Sequence, residues 1–280
     1  MKTPASPDES PLAALLAWYA EMGVDVAIEE APIDRLAPAS AVPSPRAPAA
    51  PPPSMERGDP PRPVALPRAT VQPAVAAPTA AIERAARSAA ASAQSLDELR
   101  TALAAFEGCG LRLTATQLVF ADGNPEGRVM MVGEAPGRDE DIRGLPFVGR
   151  SGQLLDRMLA AIGLDRTTVY IANVVPWRPP GNRTPTPQET AACRPFIHRQ
   201  IELADPDFLI CLGAPAAAEL MANREGILKF RGRWHEYDTG RRKIRAMATL
   251  HPAYLLRQPL EKRLAWRDFL ALKAALDEAA

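Results

Sequence analysis

The stretch Gly133-Glu134-Ala135-Pro136-Gly137-Arg138-Asp139-Glu140-Asp141 follows directly on the apolar run Val129–Val132. A glycine-bracketed turn after a strand commonly cradles a phosphate, using backbone N–H groups and a basic side chain. This turn carries four carboxylates and no lysine, so its ligand is of another kind. The plain alternative is a solvated surface turn. A metal site would need further ligands, and no His or Cys lies nearby in sequence to supply them. Gly149-Arg-Ser-Gly152 fails as a phosphate loop because it lacks the GxxxxGK[ST] spacing and does not follow a strand.

Two other polar residues stand at the ends of apolar runs. Asn173 closes Tyr170-Ile-Ala-Asn173, and a buried amide there either ties loops together or reads the polar edge of a ligand. His251 precedes Pro252 at the end of Ile244–Thr249 and is one of three histidines; His198 and His235 read as structural. Around His251, Lys229–Arg257 holds eight Lys/Arg (229, 231, 233, 241, 242, 243, 245, 257) with Trp234 and Tyr254 among them. Such a stretch is either ordinary soluble surface or a nucleic-acid face.

The elements that would position these residues alternate. Strands are expected at Val129–Val132, Val169–Val174, Phe208–Leu212 and Ile244–Thr249, apolar on both faces as buried parallel strands are. Helical patterns separate them. One opens near Ser151 and stops at Gly163, and one starts at the capping box Thr186-Pro-Gln-Glu189. A third covers Ala214–Met221, and Leu260–Leu276 closes the chain. The expected fold is α/β, a four-stranded parallel sheet flanked by helices. Ligands of such sheets lie beyond the carboxyl ends of the strands. The loops there read GEAPG, ANVVPWRPPGN, LGAPAA and TLHPAY, so Glu134, Glu140, Asn173, Asn182 and His251 converge on one crevice.

The front of the chain is different. Pro11–Met22 reads as a short amphipathic helix behind Ser10, within a segment 1–30. Fourteen of the 30 prolines fall between residues 32 and 78. Residues 31–80 are therefore expected to be a Pro/Ala-rich disordered linker, with a folded domain over 81–280 that a helical pattern at Ile82–Phe106 introduces. Net charge is zero overall, but residues 1–127 carry 10 Lys/Arg against 15 Asp/Glu and residues 128–280 carry 23 against 18. The basic back half suits a polyanionic partner. Three cysteines exclude a secreted disulfide framework. No run reaches the ~18 apolar residues of a membrane span, so a cytoplasmic protein with no membrane partner is expected.

As a set, these motifs resemble the family 4 uracil-DNA glycosylases. The matching residues are GEAPGRDED with Pro146-Phe-Val-Gly149, Tyr170-Ile-Ala-Asn173, Arg178-Pro-Pro-Gly-Asn182-Arg183, Leu212-Gly213 and His251-Pro-Ala-Tyr-Leu-Leu-Arg257. The resemblance covers roughly Phe106 to the C-terminus. It implies hydrolysis of the N-glycosidic bond of deoxyuridine in base excision repair, with the nucleotide flipped into a pocket. Carboxylates suit a sugar that becomes an oxocarbenium cation and a water that attacks it. It implies Glu134, Glu140 and His251 as catalytic residues, and a uracil site made by Ala135, Phe147, Asn173 and His251. Arg178, Asn182, Arg183, Arg231 and Arg257 would meet DNA, single- or double-stranded. Related branches carry an aspartate where this chain has Ala135. Two alternatives stand beside this reading: excision of another damaged base, or a non-catalytic DNA-binding adaptor that keeps the fold.

The resemblance also implies a 4Fe-4S cluster held by four cysteines. The ligand positions fall on Phe106, Cys109, Trp177 and Cys193, so two of the four are aromatic. No cofactor or metal is therefore expected, with Cys109 and Cys193 left as neighbours. Cys211 lies within a strand and reads as core. The protein is expected to be a monomer, with the helix at 11–22 free to meet a protein partner.

Overall fold

The structure is a computed structural model and describes residues 79–279. The helix expected over 11–22 and the linker expected over 31–80 lie outside the described residues, except that Thr79 and Ala80 already belong to the first helix. Where one helical pattern was expected, two helices form, α1 (Thr79–Ser92) and α2 (Leu96–Ala105). Ser95 makes the break. Its hydroxyl accepts from Glu98 N–H while the Glu98 carboxylate accepts from Gln94 N–H at 2.7 Å, a reciprocal cap that starts a new helix. Arg199 donates to the carbonyl of Ala93 and ties the end of α1 to the body of the domain.

The sheet has six strands in the order β1-β3-β2-β4-β6-β5: β1 (Asp122–Gly123), β2 (Val129–Gly133), β3 (Val169–Asn173), β4 (Phe208–Leu212), β5 (Trp234–Asp238) and β6 (Lys243–Thr249). The middle four are parallel, as expected. The expected count of four is corrected by two antiparallel edge strands, β1 beside β3 and β5 beside β6. Both escape sequence patterning for physical reasons. A two-residue strand has no period to detect. The outward positions of β5 are charged, so it reads as part of a basic hairpin.

Every residue of β2, β3 and β4 is buried. Alternate side chains point into two cores, as a period of two requires. Met130, Val132, Tyr170, Leu209 and Cys211 face α1, α2, α5 (Pro187–Ala204) and α6 (Ala214–Met221). Val129, Met131, Ile171, Phe208, Ile210 and Met247 face α4 (Arg150–Ala160) and α9 (Lys262–Glu278). Three short α-helices, α3 (Arg138–Arg143), α7 (Ile227–Phe230) and α8 (Pro252–Arg257), and 3₁₀ turns at Gly110–Leu113, Pro180–Asn182 and Pro259–Glu261 complete the described residues. Among the described residues no helix is long and apolar enough to cross a membrane.

The chain leaves β2 for β3 on one side, then returns past β2 to β4 on the other. That reversal opens a crevice between the carboxyl ends of β2 and β4, where doubly wound sheets hold their ligands.

Candidate active site

A cavity of about 570 Å³ occupies that crevice. Glu134, Ala135, Glu140, Phe147, Asn173, Asn182, Arg183, His251 and Arg257 all line it. The residues drawn from the three loops after β2, β3 and β6 therefore meet, as the strand-end argument requires. Arg178 and Arg231 do not line it.

Asn173 ends β3 opposite Gly133, the last residue of β2. Its side chain is buried, and Oδ1 has no hydrogen-bond partner among the described residues. An unpartnered buried acceptor costs roughly 1–3 kcal/mol, so a ligand donor is the natural satisfaction for this one. Gly133 creates the room. A Cβ there would lie 2.5 Å from Asn173 Oδ1 and 2.7 Å from Phe147 Cζ. The β2–β3 pairing also continues past the strands, with Val174 N–H donating to Gly133 and Val175 N–H to Glu134. This holds the Glu134 loop against Asn173.

Phe147 is buried and its ring lies 5.4 Å from the His251 ring at 30°. Its backbone is left-handed, with φ 54°. For a side chain of this size that conformation costs on the order of 1–3 kcal/mol and persists only when surroundings impose it. Gly152, in the first turn of α4, is one such surrounding: a Cβ there would sit 1.6 Å from the Phe147 carbonyl oxygen.

The two glutamates differ in kind. Glu140 is buried, and its carboxylate accepts from the N–H groups of Gly137 (3.1 Å), Val148 (3.0 Å) and Gly149 (2.9 Å). It braces the two halves of the 137–149 loop. Asp141 is likewise committed, accepting from Thr116 and Gln117. Of the two carboxylates left over, Asp139 is exposed and Glu134 lines the cavity. Its Oε1 is buried without a partner among the described residues, and burial pushes its pKa up, partly offset by the Thr184 hydroxyl.

His251 caps the N-terminus of α8, and Nδ1 accepts from Ala253 N–H at 3.1 Å. That bond fixes the tautomer with the proton on Nε2. The ring is partly exposed through the cavity mouth but crowded by protein elsewhere. Desolvation first, then Arg257, pulls its pKa down to about 4. It is a neutral donor at neutral pH. Gly213 (φ 93°) permits this placement, since a Cβ there would meet His251 Cβ at 3.0 Å.

The cationic residues need correction. Arg231 was expected at the DNA, but its guanidinium is committed to Asp268, which is almost wholly buried, and to the Leu264 carbonyl. It is a structural ion pair beneath β6. Most of the basic stretch is neutralised in the same way. Arg233 pairs with Glu225, Arg241 with Glu202, Arg242 with Asp205 and Asp207, Lys243 with Glu236, and Arg245 with Glu278. Arg245 also stacks over Trp234, its guanidinium 4.4 Å from the ring centroid. Arg257 has no carboxylate partner among the described residues. Arg178 reaches Asp141 at 3.9 Å and donates to Asn182 Oδ1 at 2.7 Å, while Arg183 pairs with Glu189.

The residues at the implied cluster positions do not fit a four-thiolate iron site. Phe106 and Trp177 are buried in the core shared by Cys109 and Cys193, and Phe106 packs on Phe196 with ring centroids 5.0 Å apart. Cys109 and Cys193 act on each other as neighbours in this core: interaction with Cys193 lowers the pKa of Cys109, and the same interaction together with burial raises that of Cys193. Cys211 sits inside β4, raised to about 12 by burial. Among the described residues no group of three or more His, Cys, Asp or Glu could hold a metal ion.

Sequence reasoning placed Gly133 in the turn but missed its close approach to Asn173, and it missed Thr184 as part of the site. A glycine ending a buried strand directly opposite an asparagine is a signal for close approach, but the opposition depends on strand register.

Comparison with known proteins agrees with this geometry. The sequence model of the Uracil DNA glycosylase superfamily matches residues 120–270. The chain is 41% identical over 181 residues to the type-4 uracil-DNA glycosylase of Archaeoglobus fulgidus, covering 63% of this chain and 90% of that protein. It is 46% identical over 150 residues to the type-4 uracil-DNA glycosylase of Thermotoga maritima, covering 53% and 77%. A third, from Sulfurisphaera tokodaii, is 35% identical over 184 residues, covering 64% and 84%.

Proposed function

The chain belongs to the uracil-DNA glycosylase superfamily, and on that premise we propose that it hydrolyses the N-glycosidic bond of deoxyuridine in DNA, releasing uracil and leaving an abasic site. The observation that carries this reading is the unpartnered Asn173 Oδ1 buried beside the Phe147 ring.

The target nucleotide leaves the base stack and enters the cavity. Phe147 stacks on the pyrimidine, an interaction that contributes about 1–3 kcal/mol. Asn173 accepts from uracil N3–H through Oδ1 and donates to O4 through its amide N–H. Cytosine offers the reverse pattern and would leave both groups unpaired in a dry pocket, which is how a hydrogen-bonding site rejects an isostere. Ala135 lies in the lining of the same cavity.

As the glycosidic bond breaks, electron density moves to the departing base. His251 Nε2–H donates to uracil O2, and the low imidazole pKa makes this a neutral donor rather than a proton source. The preorganised donor stabilises charge that exists only late in the reaction. Glu134 faces the sugar with a free carboxylate oxygen, stabilises the oxocarbenium and orients water for attack at C1′. Glu140 acts through the loop it braces. Arg178, Asn182, Arg183 and Arg257 take the strand near the pocket, single- or double-stranded.

The reaction needs neither nucleotide nor metal, and we assign no cluster to the Phe106–Cys109–Trp177–Cys193 corner. Catalysis is assigned to residues 81–280, acting as a monomer in the cytosol, with residues 1–80 dispensable for it.

The test is a uracil-containing oligonucleotide incubated with enzyme in excess, then treated with alkali. Strand scission at the uracil position is expected. Intact strands would end the reading.

A further inference from the structure

Phe147 holds a conformation its own backbone disfavours, and the contacts that impose it converge on its carbonyl. Arg166, in the turn before β3, donates from Nη2 to the Phe147 carbonyl and from Nη1 to the Pro146 carbonyl, the latter at 3.1 Å. The guanidinium is itself held from two directions. Asp122 in β1 accepts from Nη1, and Asp156 in α4 accepts from Nε at 2.8 Å. One side chain therefore ties the edge strand, the helix and the 146–147 turn together. Gly152 leaves the space into which the carbonyl points.

We propose that Arg166 is the positioning residue for the stacking ring: its anchored fork fixes the Phe147 carbonyl, sets the left-handed backbone, and so aims the phenyl ring at the flipped base. The inference rests on the glycosylase reading above for the identity of that base. It follows from the geometry of the donors. A guanidinium can serve two carbonyls and two carboxylates at once because its five N–H groups lie in one plane, whereas a lysine ammonium cannot span them. Arg166 lies outside the cavity and touches no substrate. Its effect should therefore appear where the ring matters and nowhere else.

The experiment compares wild type with Arg166→Ala, Arg166→Lys, Phe147→Ala and the Arg166→Ala/Phe147→Ala double variant. Three quantities are read: single-turnover excision of uracil, inhibition by free uracil, and affinity for abasic DNA, which presents no base to stack. Arg166→Ala is expected to raise the inhibition constant for uracil at least tenfold while leaving abasic-DNA affinity within about twofold. Arg166→Lys should recover only part of the loss. The double variant should be no worse than Phe147→Ala alone, because the two residues act as one unit. Should Arg166→Ala fail to fold, Asp156→Asn removes one anchor at a half-exposed position and is expected to weaken uracil inhibition two- to fivefold. Multiplying losses in the double variant, or equal losses of uracil and abasic-DNA binding, would reduce Arg166 to a general stabiliser and overturn the proposal. A wild-type protein that neither excises nor binds uracil would instead sink the glycosylase reading, so the two failures are distinguishable.

Discussion

Asn173 Oδ1 and Gly133 face each other across the β2–β3 pair so closely that a methyl group on Gly133 would come within 2.5 Å of the oxygen. The same methyl would meet the tip of the Phe147 ring. Gly133→Ala should therefore displace the base reader and the stacking ring together. Overpacking of this kind costs about 1–3 kcal/mol, and kcat/KM for uracil excision should fall by about 100-fold. Steady-state kinetics with a parallel melting curve check it. An active, normally stable variant would show that the pocket relaxes around the methyl.

Asn173→Asp changes the pattern of donors and acceptors rather than the shape. Uracil excision should drop by about 100-fold or more, and cytosine should become a detectable product from a matched oligonucleotide. Released bases are separated and identified by chromatography. Unchanged uracil turnover would remove Asn173 from recognition.

The pH dependence of the rate should belong to Glu134. His251 is held at about 4, so it stays neutral through the ordinary imidazole range near ~6.5 and contributes no inflection there. Glu134 works ionised, and burial raises its pKa. Activity should be lost as pH falls through that raised value. An acid limb retained in Glu134→Gln would assign it elsewhere.

Stability should carry opposite signs at the same two residues. The folded pKa of His251 lies below its unfolded value, so the folded state binds fewer protons between ~6.5 and about 4. Stability is lost as pH falls through that window. Glu134 has a raised folded pKa, so its contribution declines as pH rises through the ordinary carboxylate range toward that value. Glu134→Gln should accordingly melt at a higher temperature than wild type at pH 8 while losing excision. A lower melting temperature would mean that the carboxylate has a stabilising partner.

The salt dependence of DNA binding should discriminate among the arginines. Arg257→Ala should reduce the log–log slope by about 0.7–0.9 for one lost phosphate contact. Arg242→Ala, whose guanidinium is occupied by Asp205 and Asp207, should leave the slope unchanged. Arg231→Ala should instead destabilise the fold by about 3–5 kcal/mol, because Asp268 is left as a buried charge without its partner. Binding titrations between 50 and 200 mM salt on the order used for such slopes, with denaturation curves, separate these outcomes.

The four parallel strands were legible because each is a short run apolar on both faces, and runs of that kind carry their own boundaries. The convergence of Glu134, Asn173 and His251 was legible because strand ends in an alternating fold share one edge. Other features required coordinates. Glu134 and Glu140 sit six residues apart in one acidic turn, and only the backbone donors around Glu140 separate a brace from a free carboxylate. Arg231 reads as one more cation in a basic run until Asp268, 37 residues later, is found beside it. Tertiary pairing of charges leaves no local pattern. The left-handed Phe147 is silent for the same reason, since its causes are Gly152 and Arg166 rather than its neighbours in sequence.

Phe106 and Trp177 give the corner around Cys109 and Cys193 a one-way character. Either aromatic changed alone to cysteine would leave three thiols and one ring, too few ligands for a four-thiolate cluster and a hole where the ring had packed. Both would have to change together before iron could repay the lost packing. On the reading that assigns this corner no cluster, Phe106→Cys and Trp177→Cys would have to be introduced together to restore a four-thiolate set.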